Sequence, residues 1–179
     1  MKILILLDGS KFSEAILGPA KTLASQGGDN VEVHLVQVLD PGTAHTTWMR
    51  RPPSSVDAPG PWAPVGSQYP PSDVSYGVAL ETKDQALDRR HDEVMDYLRH
   101  VSASHFDEMA RIEVLFHKDV AEGIVKYAKA EKVDFIAIAT HGRTGLSKVL
   151  LGSVAAGLLR ANVAPLYMVR PDDLNEEAE

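Results

Sequence analysis

The sequence predicts an α/β fold, in which one open parallel sheet of five strands carries helices on both faces. Two observations predict it. Runs such as KILILL and DFIAIA are almost continuously aliphatic, as strands buried on both faces of a parallel sheet must be. Segments with helical spacing separate successive strands, and such alternation produces β-α-β units. A chain of 179 residues, 44% of them hydrophobic, is long enough for one domain around one core.

The first third of the chain supplies two strands and the helix between them. The run KILILL is the first strand, and Asp8 with a DGS turn ends it. A helix is predicted over 13–26, and Pro19 inside it predicts a kink. The apolar residues at helical spacing are Phe12, Ala15, Ile16, Ala20 and Leu23. The run VEVHLVQVL, over 31–39, is rich in β-branched and aliphatic residues and is the second strand.

Residues 41–80 differ in character from the rest of the chain. Eight of the eleven prolines fall here, together with Trp48 and Trp62. Neither helical nor strand periodicity survives in this segment. We therefore predict a long irregular insertion, either a mobile excursion or a functional lid that docks a partner or covers a ligand.

A long helix and a third strand follow the insertion. Charged residues are frequent over 81–104, and one apolar stripe runs along the segment, as expected of a helix that packs by one face. The stripe consists of Leu87, Val94, Leu98 and Val101. The next run, ARIEVLFH, is the third strand.

The last part of the chain repeats the alternation twice. Asp119 is the predicted N-cap of a helix whose apolar face carries Val120, Ile124 and Ala128. The run VDFIAIAT is the fourth strand, a further helix ends near Asn162, and APLYMVR is the fifth strand. The acidic tail, 171–179, is expected to fray. Together these elements form a single domain over 1–179.

The composition excludes several classes of protein. The absence of cysteine rules out disulfides, thiol catalysis and thiolate metal sites. A net charge of -7 argues against a nucleic-acid partner, because a phosphate backbone requires a basic surface. No apolar run reaches the roughly 18 residues that cross a bilayer, and the aspartate in MKILILLDGS comes too early for a secretory signal. We therefore expect a cytoplasmic protein without a membrane partner. The histidines show no ligand spacing, so no metal site is predicted.

The segment ATHGRTGLSKVLLGSV, residues 139–154, follows the fourth strand at the edge where open parallel sheets bind ligands. Glycines let a ligand approach the backbone amides closely, and the start of the next helix presents unpaired N–H groups. Arg143 and Lys148 add cationic donors. The pattern favours a phosphate-binding loop, although a plain strand-to-helix turn also needs glycine and a cap. The residues concerned are Gly142, Gly145, Gly152 and Ser153.

Two common phosphate-binding motifs are missing from the sequence. A P-loop needs GxxxxGK followed by Ser or Thr, and the chain contains no Gly-Lys pair. The dinucleotide-binding pattern GxGxxG is also missing, because a DGS turn follows the first strand. Any phosphate site is therefore of a different kind.

Three segments together resemble the universal stress protein family. They are LLDGSKFSEAI after the first strand, LVQVLD at the end of the second, and IAIATHGRTGLSKVLLGSVAAGLLRANVAPLYMV near the end of the chain. The resemblance covers 1–170 apart from 41–80. It implies a stress-response protein with a Rossmann-like, adenine nucleotide alpha hydrolase-like sheet of order 3-2-1-4-5. Many members bind ATP through a G-x2-G-x9-G-[ST] pattern, which is Ala139, Gly142, Gly152 and Ser153 here.

The resemblance also implies a set of nucleotide-binding residues. Asp8 would lie at the ribose and base end, Val38 would hold adenine through its backbone groups, and the glycine segment would face the phosphates. The full set is Asp8, Gly9, Ser10, Val38, Ala139, His141, Gly142, Arg143, Gly145, Gly152, Ser153 and Val154. The expected ligand is ATP, or AMP or ADP, with Mg or Mn carried by the nucleotide.

Two residues depart from the family pattern. Ala139 replaces the first glycine, and its methyl group narrows the floor of the expected pocket without closing it. Gln37 stands where the family usually has a histidine before the valine of the second strand. That change alters the surface chemistry more than nucleotide binding.

Two other functions stay open at this point. Asp8, Ser10 and His141 could supply the acid, hydroxyl and imidazole of a hydrolase, but the GxSxG elbow is missing. We therefore predict no catalytic residue and at most weak ATP hydrolysis. The resemblance also implies a homodimer through the last strand, residues 165–169, which begins at Pro165 and ends at Val169. A dimeric adaptor of the same fold that has lost its nucleotide is the alternative to an ATP-binding regulator.

Overall fold

The structure is a computed structural model that describes residues 1–45, 47–50, 77–107, 110–140 and 152–171. Side chains are described at all of these positions except 29, 47–50 and 77–80. The chain forms two compact units, one made of Met1–Thr43 with Arg89–Glu179 and the other of Ala44–Asp88. The single domain expected over 1–179, with its insertion at 41–80 and frayed tail at 171–179, stays a prediction.

Five parallel strands form the main sheet of the first unit. The strands in chain order are β1 (Lys2–Leu6), β2 (Glu32–Leu39), β3 (Thr47–Arg50), β4 (Gly77–Glu81), β5 (Arg111–Phe116), β6 (Phe135–Ala139) and β7 (Leu166–Val169). The main sheet has the order β5-β2-β1-β6-β7, and every neighbouring pair in it is parallel. Without β3 and β4, this order is 3-2-1-4-5, so the predicted fold class is confirmed.

The two remaining strands form a separate antiparallel pair in the second unit, with β3 paired to β4. The prediction that no strand forms within 41–80 is therefore wrong at Thr47–Arg50 and Gly77–Glu81. The prediction fails because the two strands are short and far apart in sequence, and neither is long enough to show an alternation of apolar and polar residues. Residues 51–76, with Trp62, lie outside the described residues.

Over the described ranges, five α-helices accompany the strands: α1 (Lys11–Glu14), α2 (Leu17–Gln26), α3 (Lys83–Phe106), α4 (Val120–Glu131) and α5 (Ser153–Ala161). The helix predicted over 13–26 is thus divided in two, at Ala15 and Ile16. The N–H groups of these residues donate to the carbonyl oxygens of Phe12 and Ser13, three residues back. Pro19 has no N–H to donate to the carbonyl of Ala15, so the first helix cannot continue unbroken into the second.

The predicted helix ends on the second half of the chain are confirmed. The Asp119 carboxylate accepts the N–H of Glu122 at 2.9 Å and so caps α4. Asn162 ends α5 in the left-handed conformation, with φ of 46°. Among the described residues, no helix is long and apolar enough to cross a membrane.

Each face of the main sheet has its own hydrophobic core. On one face, Ile3 and Ile5 of β1 are fully buried in a cluster with α2 and α3. On the other face, Leu4 and Leu6 belong to a cluster with α4 and α5. The alternation of side chains along β1 supplies both cores, which explains why its sequence is continuously aliphatic from Ile3 to Leu6. We call these two sides the α2/α3 face and the α4/α5 face.

The helices α4 and α5 approach each other closely at Gly157. A Cβ atom at this position would lie 2.6 Å from the Cβ of Ala121 on α4, which is too close for any side chain. The hydrogen of Gly157 is therefore what allows the two helices to pack at this point. Both helices contribute to the cavity described next.

Candidate functional site

A cavity of about 310 Å³ opens on the α4/α5 face, at the carboxyl ends of β1, β2 and β6. This is the edge at which open parallel sheets bind ligands. Its walls are mainly aliphatic side chains from β1, β2, β6 and α4, and its polar groups come from the ends of β1 and β6 and the start of α5. The lining residues are Leu6, Leu7, Asp8, Val36, Val38, Val120, Ile124, Ile138, Ala139, Thr140, Gly152, Ser153, Val154 and Ala155.

Half of the predicted site residues line this cavity. They are Asp8, Val38, Ala139, Gly152, Ser153 and Val154. Gly9 and Ser10 belong to the turn that follows Asp8 and do not line the cavity itself. His141, Gly142, Arg143 and Gly145, together with Lys148, lie outside the described residues. Three separate segments of the sequence therefore meet at one cavity, as the parallel topology requires.

The turn after β1 presents Asp8 to the cavity. Gly9 adopts φ of 81°, a conformation that residues with a Cβ rarely take, and so reverses the chain. The Asp8 Oδ1 atom accepts two hydrogen bonds, from the N–H of Ser10 at 2.9 Å and from its hydroxyl at 2.6 Å. The carboxylate is therefore held by its own turn, and it places a negative charge at the end of β1.

The start of α5 also lines the cavity. Gly152 is the N-cap residue of α5. Because glycine has no side chain, it accepts no side-chain hydrogen bond from the N–H groups of the first turn. The N–H groups of the first turn have no intrahelical acceptor, and they give the helix start a partial positive charge. A Cβ atom at Gly152 would meet no atom of the described residues within 4 Å, so this part of the chain leaves room for a ligand beside it.

Val38 contributes its backbone as well as its side chain. The Val36 carbonyl accepts the N–H of Leu7 on the β1 side, whereas the Leu39 carbonyl accepts the N–H of His117 on the β5 side. Because the peptide groups of successive strand residues point to alternate sides, the N–H and C=O of Val38 point to the β1 side. Val38 lies beyond Leu6, the last residue of β1 in register with β2.

Sequence analysis missed the contribution of α4 to this cavity. Val120 and Ile124 were recognised as the apolar face of a helix, which they are, but the same residues also line the cavity. Their helical spacing shows only that they face inward. Val36 was missed in the same way, although its separation of two residues from Val38 places both side chains on one face of β2.

A chain of polar contacts lies at the other end of the α4/α5 face. The fully buried His34 of β2 has its Nδ1 atom 2.9 Å from the hydroxyl of Tyr127 on α4 and its Nε2 atom 2.8 Å from Glu32. The hydrogen bond from His34 lowers the pKa of Glu32 below its ordinary value. Burial raises the pKa of Tyr127 to about 12. This chain ties α4 to β2 below the cavity.

The raised pKa of Tyr127 predicts a loss of stability in strong alkali. The folded protein favours the neutral phenol, so this contribution is complete below the ordinary value of 10.0 and is lost as pH rises through about 12. A phenolate absorbance titration of the wild type minus that of Tyr127→Phe should show one phenol that ionises near pH 12. A difference curve centred at the ordinary value would contradict the burial of this hydroxyl.

In the described part of the chain, no group of three or more His, Asp or Glu side chains is placed to bind a metal ion. Among the residues that the structure describes, the site is instead an apolar slot that the Asp8 carboxylate at the end of β1 and the start of α5 also line. A slot of this kind at the carboxyl edge of an open parallel sheet is typical of the small-ligand sites of α/β proteins.

Comparison with known proteins identifies the family. Residues 62–170, more than half of the chain, match the Universal stress protein family. This chain therefore belongs to the universal stress protein family. A curated relative, Universal stress protein MJ0531 of Methanocaldococcus jannaschii, is 37% identical over 62 residues, which are 32% of this chain and 36% of the relative. The matched segment thus spans about a third of the length of that relative.

Solved structures show the same fold along almost the whole chain. The structure of hypothetical protein MJ0577, from the same organism, is 21% identical and has a TM-score of 0.64, with 96% of both chains covered. A universal stress protein solved in complex with cAMP is 17% identical and has a TM-score of 0.53, with 95% of this chain and 96% of that chain covered. At these identities the similarity is one of fold.

Proposed function

We propose that this universal stress protein binds an adenine nucleotide in the cavity, with ATP as the preferred ligand. The observation that carries the proposal is the convergence of Asp8, Val38, Gly152 and Ser153 on one cavity of about 310 Å³. This volume and its mainly apolar walls are typical of small-molecule sites. The relative of the same fold that was solved with cAMP supports an adenine nucleotide as the class of ligand.

The charges around the cavity suggest how the nucleotide is oriented. A carboxylate repels phosphate groups but accepts hydrogen bonds from hydroxyl groups, so Asp8 suits the ribose. The start of α5 attracts anions, so Gly152, Ser153 and Val154 suit the phosphates. Asp8 and the start of α5 both line the cavity. The nucleotide would therefore lie across it with the phosphates toward α5.

The base would occupy the aliphatic part of the cavity. Val36, Val38, Val120 and Ile124 offer apolar contacts to the faces of a planar ring. The N–H and C=O groups of Val38 point to the β1 side of β2, beyond its last paired residue. They offer one donor and one acceptor to the edge of adenine, as the family resemblance implies.

The segment after β6 would complete the site. Under this proposal Gly142, Gly145 and the side chains of His141 and Arg143 contact the phosphates. Mg or Mn is carried by the nucleotide, because the metal would coordinate the phosphate oxygens. Ala139 lines the cavity at the first position of the glycine pattern, where its methyl group takes space that a glycine would leave to the ligand.

We further propose that the protein acts in the cytoplasm as a stress-response regulator and that nucleotide binding controls its interactions. Hydrolysis of ATP, if it occurs, is weak and incidental to this role. Phosphate release no faster than the buffer rate agrees with this assignment, whereas release that is abolished by Asp8→Ala would assign a hydrolase. A dimeric adaptor of the same fold without a ligand is the second candidate.

Direct titration tests nucleotide binding. Calorimetry and thermal unfolding with ATP and magnesium, and separately with ADP, AMP and cAMP, should show saturable binding of one nucleotide per chain. At about 100 times Kd, the ligand should stabilise the fold by roughly 2.7 kcal/mol. Adenine nucleotides should also be found in an extract of the purified protein. A clean extract with neither heat of binding nor a thermal shift would favour the adaptor.

We also propose that the chain forms a homodimer through β7, the last strand of the sheet. This edge exposes apolar side chains, since Tyr167 and Met168 are each 40% exposed. An apolar sheet edge is stabilised when it is paired or covered. The carbonyl groups of Pro165 and Val169 accept the N–H groups of Ile136 in β6 and of Thr140 just after it. Residues at alternate positions of β7, including Met168, therefore direct their backbone groups away from the sheet.

Met168→Pro is expected to convert this dimer to a monomer. Proline removes the outward N–H of Met168 while the bonds between β7 and β6 are kept, and proline is tolerated on edge strands. Met168→Val is the control, because it keeps the N–H group. Sedimentation or light scattering should find the dimer for the wild type and Met168→Val only. A wild-type monomer, or a dimer that survives Met168→Pro, would refute pairing through β7.

A further inference from the structure

Ser13 closes a ring of hydrogen bonds in the turn between β1 and α1. It is 7% exposed, lies in α1 and does not line the cavity. Its hydroxyl donates to the Ser10 carbonyl at 2.8 Å and accepts the N–H of Asp8 at 3.2 Å. Its own N–H donates to the Ser10 hydroxyl at 3.2 Å. The Ser10 hydroxyl in turn donates to Asp8.

The ring fixes the direction of the Asp8 carboxylate. Each of the two serine hydroxyl groups both donates and accepts, so neither can rotate without breaking two hydrogen bonds. The hydrogen bonds start at the backbone N–H of Asp8 and return to the Oδ1 atom of the same residue, which closes the ring. The backbone and the side chain of Asp8 are therefore held relative to each other by Ser13 and Ser10. Such support is what a binding group needs in order to be preorganised.

We propose that Ser13 is a positioning residue of this site. It holds the Asp8 carboxylate in place to accept a hydrogen bond from a ribose hydroxyl of the bound nucleotide. The inference rests on the proposed function and deepens it, because it assigns recognition of the sugar to a residue outside the cavity. A carboxylate that accepts a hydrogen bond from a ribose hydroxyl discriminates ribose from deoxyribose, because the deoxy sugar lacks that donor.

Sugar discrimination provides the test. We expect Ser13→Ala to weaken ATP binding about tenfold and to weaken binding of 2′-deoxy-ATP and 3′-deoxy-ATP less, so that the preference for ribose decreases. Ser102→Ala is the matched control. It is the same change at a residue that is 4% exposed, and its hydroxyl has no hydrogen-bond partner among the described residues. That control should bind all of these nucleotides as the wild type does.

A double-mutant cycle shows whether Ser13 acts through Asp8. If it does, Ser13→Ala should change ATP affinity in the wild type but not in an Asp8→Ala background. Ser10→Ala breaks the same ring at a more exposed residue, so it should reproduce the loss of ribose preference even where Ser13→Ala does not fold. Circular dichroism identifies the folded variants.

The outcomes separate this inference from the proposed function. If the wild type binds no adenine nucleotide, the proposed function fails. If the wild type binds ATP but Ser13→Ala weakens ATP and the deoxy analogues equally, the role of Ser13 is structural and the inference is wrong. Equal losses from Ser13→Ala with and without Asp8 would overturn it as well.

Discussion

Gly152→Asp is expected to weaken ATP binding about 100-fold or more while the protein stays folded. The new carboxylate would stand at the N-cap of α5, where the proposed site places the phosphates, and like charges in contact cost several kcal/mol. The fold should tolerate it, because a Cβ at Gly152 meets no atom within 4 Å among the residues that the structure describes, and because aspartate is a favourable N-cap residue. Calorimetry with ATP and magnesium measures the loss.

Gly152→Asn is the matched control for this experiment. Asparagine has almost the same shape as aspartate and caps a helix about as well, but it carries no charge. We expect Gly152→Asn to lose far less affinity than Gly152→Asp, and both variants should unfold at or above the wild-type temperature. If the two variants bind ATP equally well, phosphate does not lie beside α5 and the assignment of the site is wrong.

Leu98→Ala is expected to have the largest effect on stability, a loss of about 2–5 kcal/mol in the free energy of unfolding. Leu98 of α3 is 0% exposed and lies in the core of the α2/α3 face. Its truncation leaves a cavity between α3 and the sheet. The ligand cavity lies on the other face, so the folded fraction should keep its affinity for ATP. Denaturant unfolding with and without ATP measures both quantities.

Leu159→Ala provides the comparison, because Leu159 of α5 is 44% exposed. The same atoms are removed, but at Leu159 they are already partly in contact with water in the folded protein, so less buried apolar area is lost. The free energy of unfolding should therefore change by no more than about 0.5 kcal/mol. Similar losses for Leu98→Ala and Leu159→Ala would show that α3 does not pack on the sheet as described.

The fold could be predicted because its signals are local. The run KILILL supplies both cores from Ile3 onward, and this double burial is the reason that no polar residue follows Lys2 within it. Asp119 and Asn162 mark helix ends through their own hydrogen bonds and conformation. The break between α1 and α2 was placed less well. The apolar residues at helical spacing continue through the break and so do not reveal it, and Phe12, one of these residues, is 38% exposed.

The candidate site was only partly predictable from the sequence. The strand ends and the start of α5 could be assigned, because parallel topology alone brings Asp8, Val38 and Gly152 to one edge. The wall formed by α4 could not, because helical periodicity shows which side chains face inward but not whether they meet other side chains or a space. Val120 and Ile124 meet both.

The contact at Gly157 restricts how this site could accept a larger ligand. Any side chain there would push α5 away from Ala121 of α4, so separation of the two helices would cost the packing that holds both against the sheet. Extra room is more readily made by shortening a side chain in the wall, such as Ile124. Relatives or designed variants that accept bulkier guests should therefore keep the narrow helix crossing and differ at the aliphatic lining.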